Sequence, residues 1–288
     1  APRFQNLFTK PMNETLGSSC ARFMSPLLGD RHFQPLAKTS WHKQKGTVDS
    51  PRGTSNLKIA FYPGCVVDKV FPKVAEAAFS ILTSHQVGIY MPSRQVCCGI
   101  PALSSGDRQT FDRLVQDNLR LFSEQNFDYL LTPCATCTAT IKKIWPLMAR
   151  DYSKQEQDKI QALADKTRDV TEFVAHTFAS SDSGQQASTP RKVTYHDPCH
   201  LKKSLAVSEE PRRLLQASPD FELVEMADPD RCCGMGGTFN LQHYDLSKQI
   251  GDKKLQSILD TQADVVATCC PACMMQITDL LSRAQASV

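Results

Sequence analysis

Ten cysteines in this chain fall into two sets of five with nearly the same spacing, a pattern that suits metal ligation. The first set is Cys65, Cys97, Cys98, Cys134 and Cys137, spaced Cys-X31-Cys-Cys-X35-Cys-X2-Cys. The second is Cys199, Cys232, Cys233, Cys270 and Cys273, spaced Cys-X32-Cys-Cys-X36-Cys-X2-Cys. Twelve cysteines in 288 residues are too few for a disulfide-stapled scaffold, and a chain this long needs none. A tetrahedral zinc site takes four ligands, often from CxxC pairs. Each set here offers five thiols, two of them adjacent. Adjacent side chains grip one small ion poorly but can reach two irons of a larger cluster. The count therefore favours an iron–sulfur cluster in each set, with zinc left open as the alternative.

The elements that must position these thiols repeat. Cys65 aligns with Cys199 at an offset of 134, the Cys-Cys pairs at 135 and the CxxC pairs at 136. Asp128 aligns with Asp264 and Ile141 with Ile277, so the chain reads as a duplication. In the first copy strands are predicted over 57–62, 88–91 and 129–132, and helices over 70–85, 107–122 (capped by Asp107) and 139–148, with Pro146 awkward inside the last. The second copy predicts strands over 193–195, 221–226 and 265–268, and helices over 210–217, 241–259 and 274–282. One more helix is predicted over 155–178. Alternating strands and helices imply an α/β fold: two repeated domains, each a small parallel sheet flanked by helices, related by a pseudo-twofold axis. Every cysteine of a set follows a strand, and open α/β sheets bind ligands at the carboxyl ends of their strands. Each set should therefore converge. Gly99, Gly234, Gly236 and Gly237, which follow the Cys-Cys pairs, would let the backbone approach a cluster and aim N–H groups at its sulfurs; ordinary turn glycines are the alternative.

By composition the chain divides into an extension or connector over 1–56, a first cysteine-rich domain over 57–178, a polar linker over 179–190 and a second domain over 191–288. Residues 1–56 hold eight basic and three acidic residues, leaving the rest slightly acidic, which does not suit a nucleic-acid binder. No apolar run is long enough to span a membrane, and no secretory signal is visible. A cytoplasmic location is expected, with any attachment to the inner face of the membrane made through partners. The chain begins at Ala1 rather than Met, which points to a processed protein or a segment of a longer one. Other side chains near the motifs have plainer readings. His196, Asp197 and His200 flank Cys199 and could hydrogen-bond around a cluster or, for the histidines, ligate it. Arg231 could balance cluster charge or form a surface ion pair. Cys269 reads as a packing thiol or a spare thiol near the cluster, Cys20 as a plain thiol, and Trp41 and Trp145 as packing residues.

The motifs FYPGC, CCGIPALSSGD, TPCATC, YHDPCHLKKS, CCGMGGTFN and CCPACMMQ resemble the cysteine-rich CCG domain family over residues 57–286. That family includes the CCG-bearing component of heterodisulfide reductase, iron–sulfur subunits of glycolate oxidase and anaerobic glycerol-3-phosphate dehydrogenase, and lactate-utilisation proteins. The wording is most similar to iron–sulfur portions of FAD-linked lactate and glycolate dehydrogenases. In heterodisulfide reductase each complete motif binds a non-cubane [4Fe-4S] cluster, while some relatives hold zinc in one site. Two complete motifs thus imply two clusters. The resemblance implies electron transfer from a flavin-linked 2-hydroxy acid dehydrogenase to a quinone or other acceptor, with substrate oxidation on another domain. Thiol/disulfide reduction and a zinc-stabilised interaction module remain the alternatives. The chain departs from fuller relatives in lacking the ferredoxin run C-x2-C-x2-C-x3-C, so a ferredoxin-type domain, and an FAD domain or subunit, are expected upstream or as partners.

Overall fold

The computed structural model describes residues 21–22, 31–178 and 189–288; Cys20 and most of the expected linker lie outside them. In chain order the first half contains β1 (Ala21–Arg22), β2 (His32–Phe33), α1 (Trp41–Lys45), β3 (Val48–Asp49), β4 (Lys58–Phe61), α2 (Cys65–Lys69), α3 (Pro72–Ser84), β5 (Gly88–Met91), α4 (Ile100–Ser104), α5 (Arg108–Phe122), β6 (Tyr129–Thr132), α6 (Ala135–Ala139), α7 (Trp145–Met148), α8 (Lys154–Lys166), β7 (Thr167–Asp169) and α9 (Val170–Thr177). The second half contains β8 (Arg191–Tyr195), α10 (Cys199–Leu205), α11 (Glu209–Ala217), β9 (Phe221–Leu223), α12 (Thr238–Gln242), α13 (Tyr244–Leu259), β10 (Val265–Ala267) and α14 (Pro271–Arg283).

Both halves place their first strand in the centre. The first sheet runs β3-β5-β4-β6-β7 and the second β10-β8-β9, so in each the first strand of the repeat lies between the second and the third, all three parallel. Asp128 and Asp264 show how closely the halves repeat. Each sits before the third strand and accepts the N–H of a residue at the start of the first strand, Lys58 at 2.9 Å and Lys192 at 2.8 Å. Each donates its own N–H back to the same residue's carbonyl. In the first half the three parallel strands are short, mostly buried apolar runs, as parallel strands under helices require: Ile59, Phe61, Ile89, Met91, Leu130 and Leu131 are all buried. Helix α5 turns Phe111, Val115, Leu119 and Phe122 to that core, and Asp107 caps it by accepting the Thr110 N–H at 3.0 Å.

The halves meet reciprocally. Helix α6 of the first packs on α10 of the second, and α14 of the second packs on α2 of the first, as a pseudo-twofold axis requires. The Ala135 N–H also donates to the Cys269 carbonyl at 3.0 Å, which ties the two CxxC turns together.

Four details depart from the sequence expectations. The helix expected over 155–178 is broken by β7, which extends the first sheet beside β6. Asp169 ends that strand and caps α9 by accepting the Thr171 N–H at 2.9 Å, so a new helix starts where one long helix would have continued. The helix expected over 241–259 is split at His243, whose backbone (φ −129°) is not helical. Pro146 is accommodated by a π-turn over Thr140–Ile144 that widens the helix just before it. Residues 41–49, in the stretch assigned to the N-terminal extension, join the first half. Trp41 is buried edge-on against Phe61 and Phe79, and β3 pairs antiparallel with β5. Upstream of that segment the chain meets the second half, where the His32 N–H donates to Asp279 Oδ1 at 2.8 Å.

Candidate metal centres

Each half carries its five thiols where its strands end. Cys65 opens α2 after β4, Cys97 and Cys98 lie in the loop after β5, Cys134 caps α6 after β6, and Cys137 lies in the first turn of that helix. In the second half Cys199 opens α10, Cys232 and Cys233 follow β9, Cys270 caps α14, and Cys273 lies in its first turn. The sulfurs touch in a continuous path, Cys65 to Cys97 to Cys98 to Cys137 to Cys134. The second half repeats the path as Cys199 to Cys232 to Cys233 to Cys273 to Cys270. Cys65 Sγ and Cys97 Sγ are 3.5 Å apart. Among the described residues every cysteine is a free thiol.

The surroundings favour one thiolate in each Cys-Cys pair, and the same hydrogen bonds push the Cys65 and Cys199 thiols up. Hydrogen bonds from the Cys65 thiol and then Cys98 hold Cys97 down at about 3. Cys199 and then Cys233 hold Cys232 down at about 2. The Gly99 N–H donates to Cys97 Sγ at 3.5 Å and the Gly234 N–H to Cys232 Sγ at 3.3 Å. Both glycines have positive φ, +93° and +95°, which only glycine adopts at little cost. Gly236 and Gly237 instead shape the turn into α12, where the Gly236 carbonyl accepts the Phe239 N–H. At the helix starts the Cys137 N–H donates to Cys134 Sγ at 3.4 Å, and the Cys273 and Ala272 N–H groups donate to Cys270. Five thiols joined in one unbroken path, with N–H groups directed at them, suit an anionic cluster of several metal atoms, and they exceed what one tetrahedral ion can use. The donor set in each half therefore fits an iron–sulfur cluster.

Several residues that position these thiols gave no spacing signal. The Cys-Cys loop of the first half is held by its carbonyls. Val96 accepts from the Tyr62 hydroxyl, Cys97 from Asn118 Nδ2 at 3.1 Å and Cys98 from Trp145 Nε1 at 2.9 Å. Trp145, expected as packing only, is thus also an anchor. In the second half buried Lys254 takes the corresponding task, donating to the Asp228 and Pro229 carbonyls. Gly64, in the FYPGC motif, has φ +76°, and a Cβ there would lie 2.9 Å from Cys137 Sγ. The YHDPCH turn is anchored by Asp197, fully buried and gripped by both terminal nitrogens of Arg212 at 3.0 Å each. Arg231 pairs with neighbouring Asp228 at 2.8 Å, the surface ion pair that was one of its two readings. Cys269 is half-buried among other partners. It accepts the Tyr195 hydroxyl at 3.3 Å and lies 3.6 Å from Thr171 Oγ1, and burial pushes its thiol up to about 12.

One side-chain contact crosses between the halves at a thiol of the second set. Thr136 Oγ1, on α6, lies 3.4 Å from Cys270 Sγ and 2.9 Å from His200 Nδ1. With Cys270 as thiolate, the hydroxyl donates to sulfur and accepts from the imidazole. Its counterpart by the repeat is Ala272, which has no hydroxyl. A hydrogen bond to sulfur stabilises the reduced, more negative state. Thr136→Val is therefore expected to lower the midpoint potential of the second half alone, by about 40 mV for a loss of about 1 kcal/mol. EPR-monitored redox titration of the metal-loaded protein checks this; an equal fall in both halves would contradict it.

The cysteine-rich domain family matches residues 59–142 and 193–278, one match per half, and the chain belongs to that family. Among its relatives is a component of the fumarate reductase (CoM/CoB) of Methanothermobacter marburgensis, 30% identical over 98% of this chain and 55% of that protein. An uncharacterised iron–sulfur protein of Methanococcus maripaludis is 33% identical over 79% of this chain and 42% of its own length. Lactate utilization protein A of Bacillus velezensis is 32% identical over 81% of this chain and 95% of its own. The chain thus spans about half the length of the two methanogen relatives. No helix among the described residues is long and apolar enough to cross a membrane.

Proposed function

We propose that this chain is an iron–sulfur electron-transfer module holding one cluster in each half, on Cys65, Cys97, Cys98, Cys134 and Cys137 and on Cys199, Cys232, Cys233, Cys270 and Cys273. The observation that carries this reading is the identical five-sulfur path in the two halves. Gly99 and Gly234 assist by directing N–H groups at the central thiols. The clusters proposed are of the [4Fe-4S] type. The relative named lactate utilization protein A supports a place downstream of a flavin-linked 2-hydroxy acid dehydrogenase, with a quinone or similar acceptor beyond. Substrate oxidation then belongs to an FAD-bearing partner or domain. Thiol/disulfide reduction is the second reading, favoured by the exposure of Cys232, which would let a sulfur substrate approach the second centre.

Iron and acid-labile sulfide in the anaerobically prepared protein, with EPR across a redox titration, test the proposal. Two separable iron centres are expected. Cys233→Ser should lose or convert only the second, because the first half keeps all its own thiols. Stoichiometric zinc, with no iron and no EPR signal in any redox state, would replace this reading by a zinc-stabilised module. Reduction of a disulfide substrate by the loaded protein, without electron transfer from a hydroxy acid dehydrogenase, would favour the second reading.

A further inference from the structure

The two halves also differ at a position just before the first thiol of each set. Three residues before the first cysteine of each motif stand Tyr62 and His196. Both side chains are buried, and both bind a carbonyl in the loop leading to the Cys-Cys pair, Val96 for the phenol and Pro229 for the imidazole at 3.2 Å. The phenol spends its only proton on that bond. The imidazole has a second nitrogen. A carbonyl can only accept, so Nδ1 carries the proton and donates it to Pro229. In the neutral ring Nε2 then bears a lone pair. His196 has no exposed surface, and its Nε2 is buried with no hydrogen-bond partner among the described residues. One ring nitrogen of His196 and the sulfurs of Cys233 and Cys273 all lie within 4.8 Å of one another. Nδ1 is committed to Pro229, which leaves Nε2 as the donor facing the site.

We propose that His196 Nε2 is a sixth protein ligand of the metal centre in the second half, a nitrogen donor that the first half lacks. This rests on the reading that the second half holds a metal centre. The physical reason is the company the lone pair keeps. Metal-bound cysteines are thiolates and have no S–H to offer it, so Nε2 would face like charge unless it faces a metal. A neutral nitrogen donor adds no negative charge to a centre that already gathers five thiolates.

The test uses protein grown with 15N-histidine and carrying Cys98→Ser, which leaves the second centre alone. ENDOR of the iron-loaded, paramagnetic state should show a nitrogen coupling that changes between 14N and 15N. His196→Tyr restores the first half's arrangement, keeping the Pro229 anchor without the free nitrogen. It should retain the iron and lose the coupling, whereas His200→Gln should retain both. Tyr62→His, in a Cys233→Ser background, gives a second reading by introducing a coupling at the first centre. Iron bound without any nitrogen coupling, or a coupling that survives His196→Tyr, overturns the inference while the electron-transfer reading stands. If no iron is taken up, that reading falls, and the same isotope comparison on the Co2+-loaded protein still decides whether Nε2 ligates. A second half that takes up neither metal overturns both.

Discussion

Replacing Gly64 with alanine should remove the metal of the first half and spare that of the second. Gly64 turns the chain from β4 into α2 with φ +76° and ψ 160°, a region that is essentially confined to glycine. Any other residue there costs on the order of 1–3 kcal/mol before sterics are counted. The sterics are also adverse. The new Cβ would stand 2.9 Å from Cys137 Sγ, closer than real Cβ atoms approach. The turn can relieve both only by moving Cys65 or Cys137, and both are members of the sulfur path. The corresponding residue of the second half, Pro198, sits at φ −66° and ψ 136°, an ordinary conformation with no such demand. Iron content should fall to that of one centre, and the surviving EPR signal should match the one that Cys233→Ser abolishes. Full iron content in Gly64→Ala would show that the first site tolerates displacement of its turn.

Lys254→Met should lower the midpoint potential of the second half by about 70 mV and leave the first unchanged. Lys254 projects from α13, and its ammonium meets the Asp228 and Pro229 carbonyls and the Met226 sulfur, in the loop that leads to Cys232. It is a buried positive charge that interacts with Cys233, and Asn118 is the neutral side chain that supports the equivalent loop in the first half. At about 10 Å and an effective dielectric of about 20, a unit charge contributes about 1.7 kcal/mol to adding one electron, which is about 70 mV. Methionine keeps the length and removes the charge, so the reduced state loses that support. A redox titration of both centres checks it, and an unchanged second midpoint would mean that the ammonium is screened from the site.

The same lysine carries a pH signature. Burial lowers its pKa to about 8, below the ordinary 10.5 of the unfolded chain. Between those values the unfolded state binds more protons than the folded one, so stability rises with pH across that window. Chemical unfolding of the metal-free protein between pH 8 and 10.5 should show this slope, and Lys254→Met should lack it.

The convergence of each cysteine set could be read from the sequence because its members follow strands. Strand ends in a parallel α/β sheet share one edge, so Cys65, Cys97 and Cys134 had to meet although about seventy residues separate the outermost of them. The duplication was legible for the same reason, since five thiols held in register leave little freedom. The strand β7 was not legible. Thr167–Asp169 pairs with β6 because that sheet edge was open, a tertiary demand that overrode the helical spacing around it. The anchors of the Cys-Cys loops were equally hidden. Trp145, Asn118 and Lys254 lie on helices whose faces meet those loops only after packing, at separations no motif records.

What the sequence by itself determined is the chemistry: ten thiols in two equal sets, at positions where a parallel sheet must gather them. What only the tertiary structure decided is the inequality of the two sites. His196, Thr136 and Lys254 are polar groups that packing brings to the second set, where Tyr62, Ala272 and Asn118 stand as their counterparts by the repeat or by role. Repetition of backbone follows from spacing, whereas the electrostatics of each centre follow from which side chains the folded halves turn toward it, and those lie on other strands, on other helices and, for Thr136, in the other half.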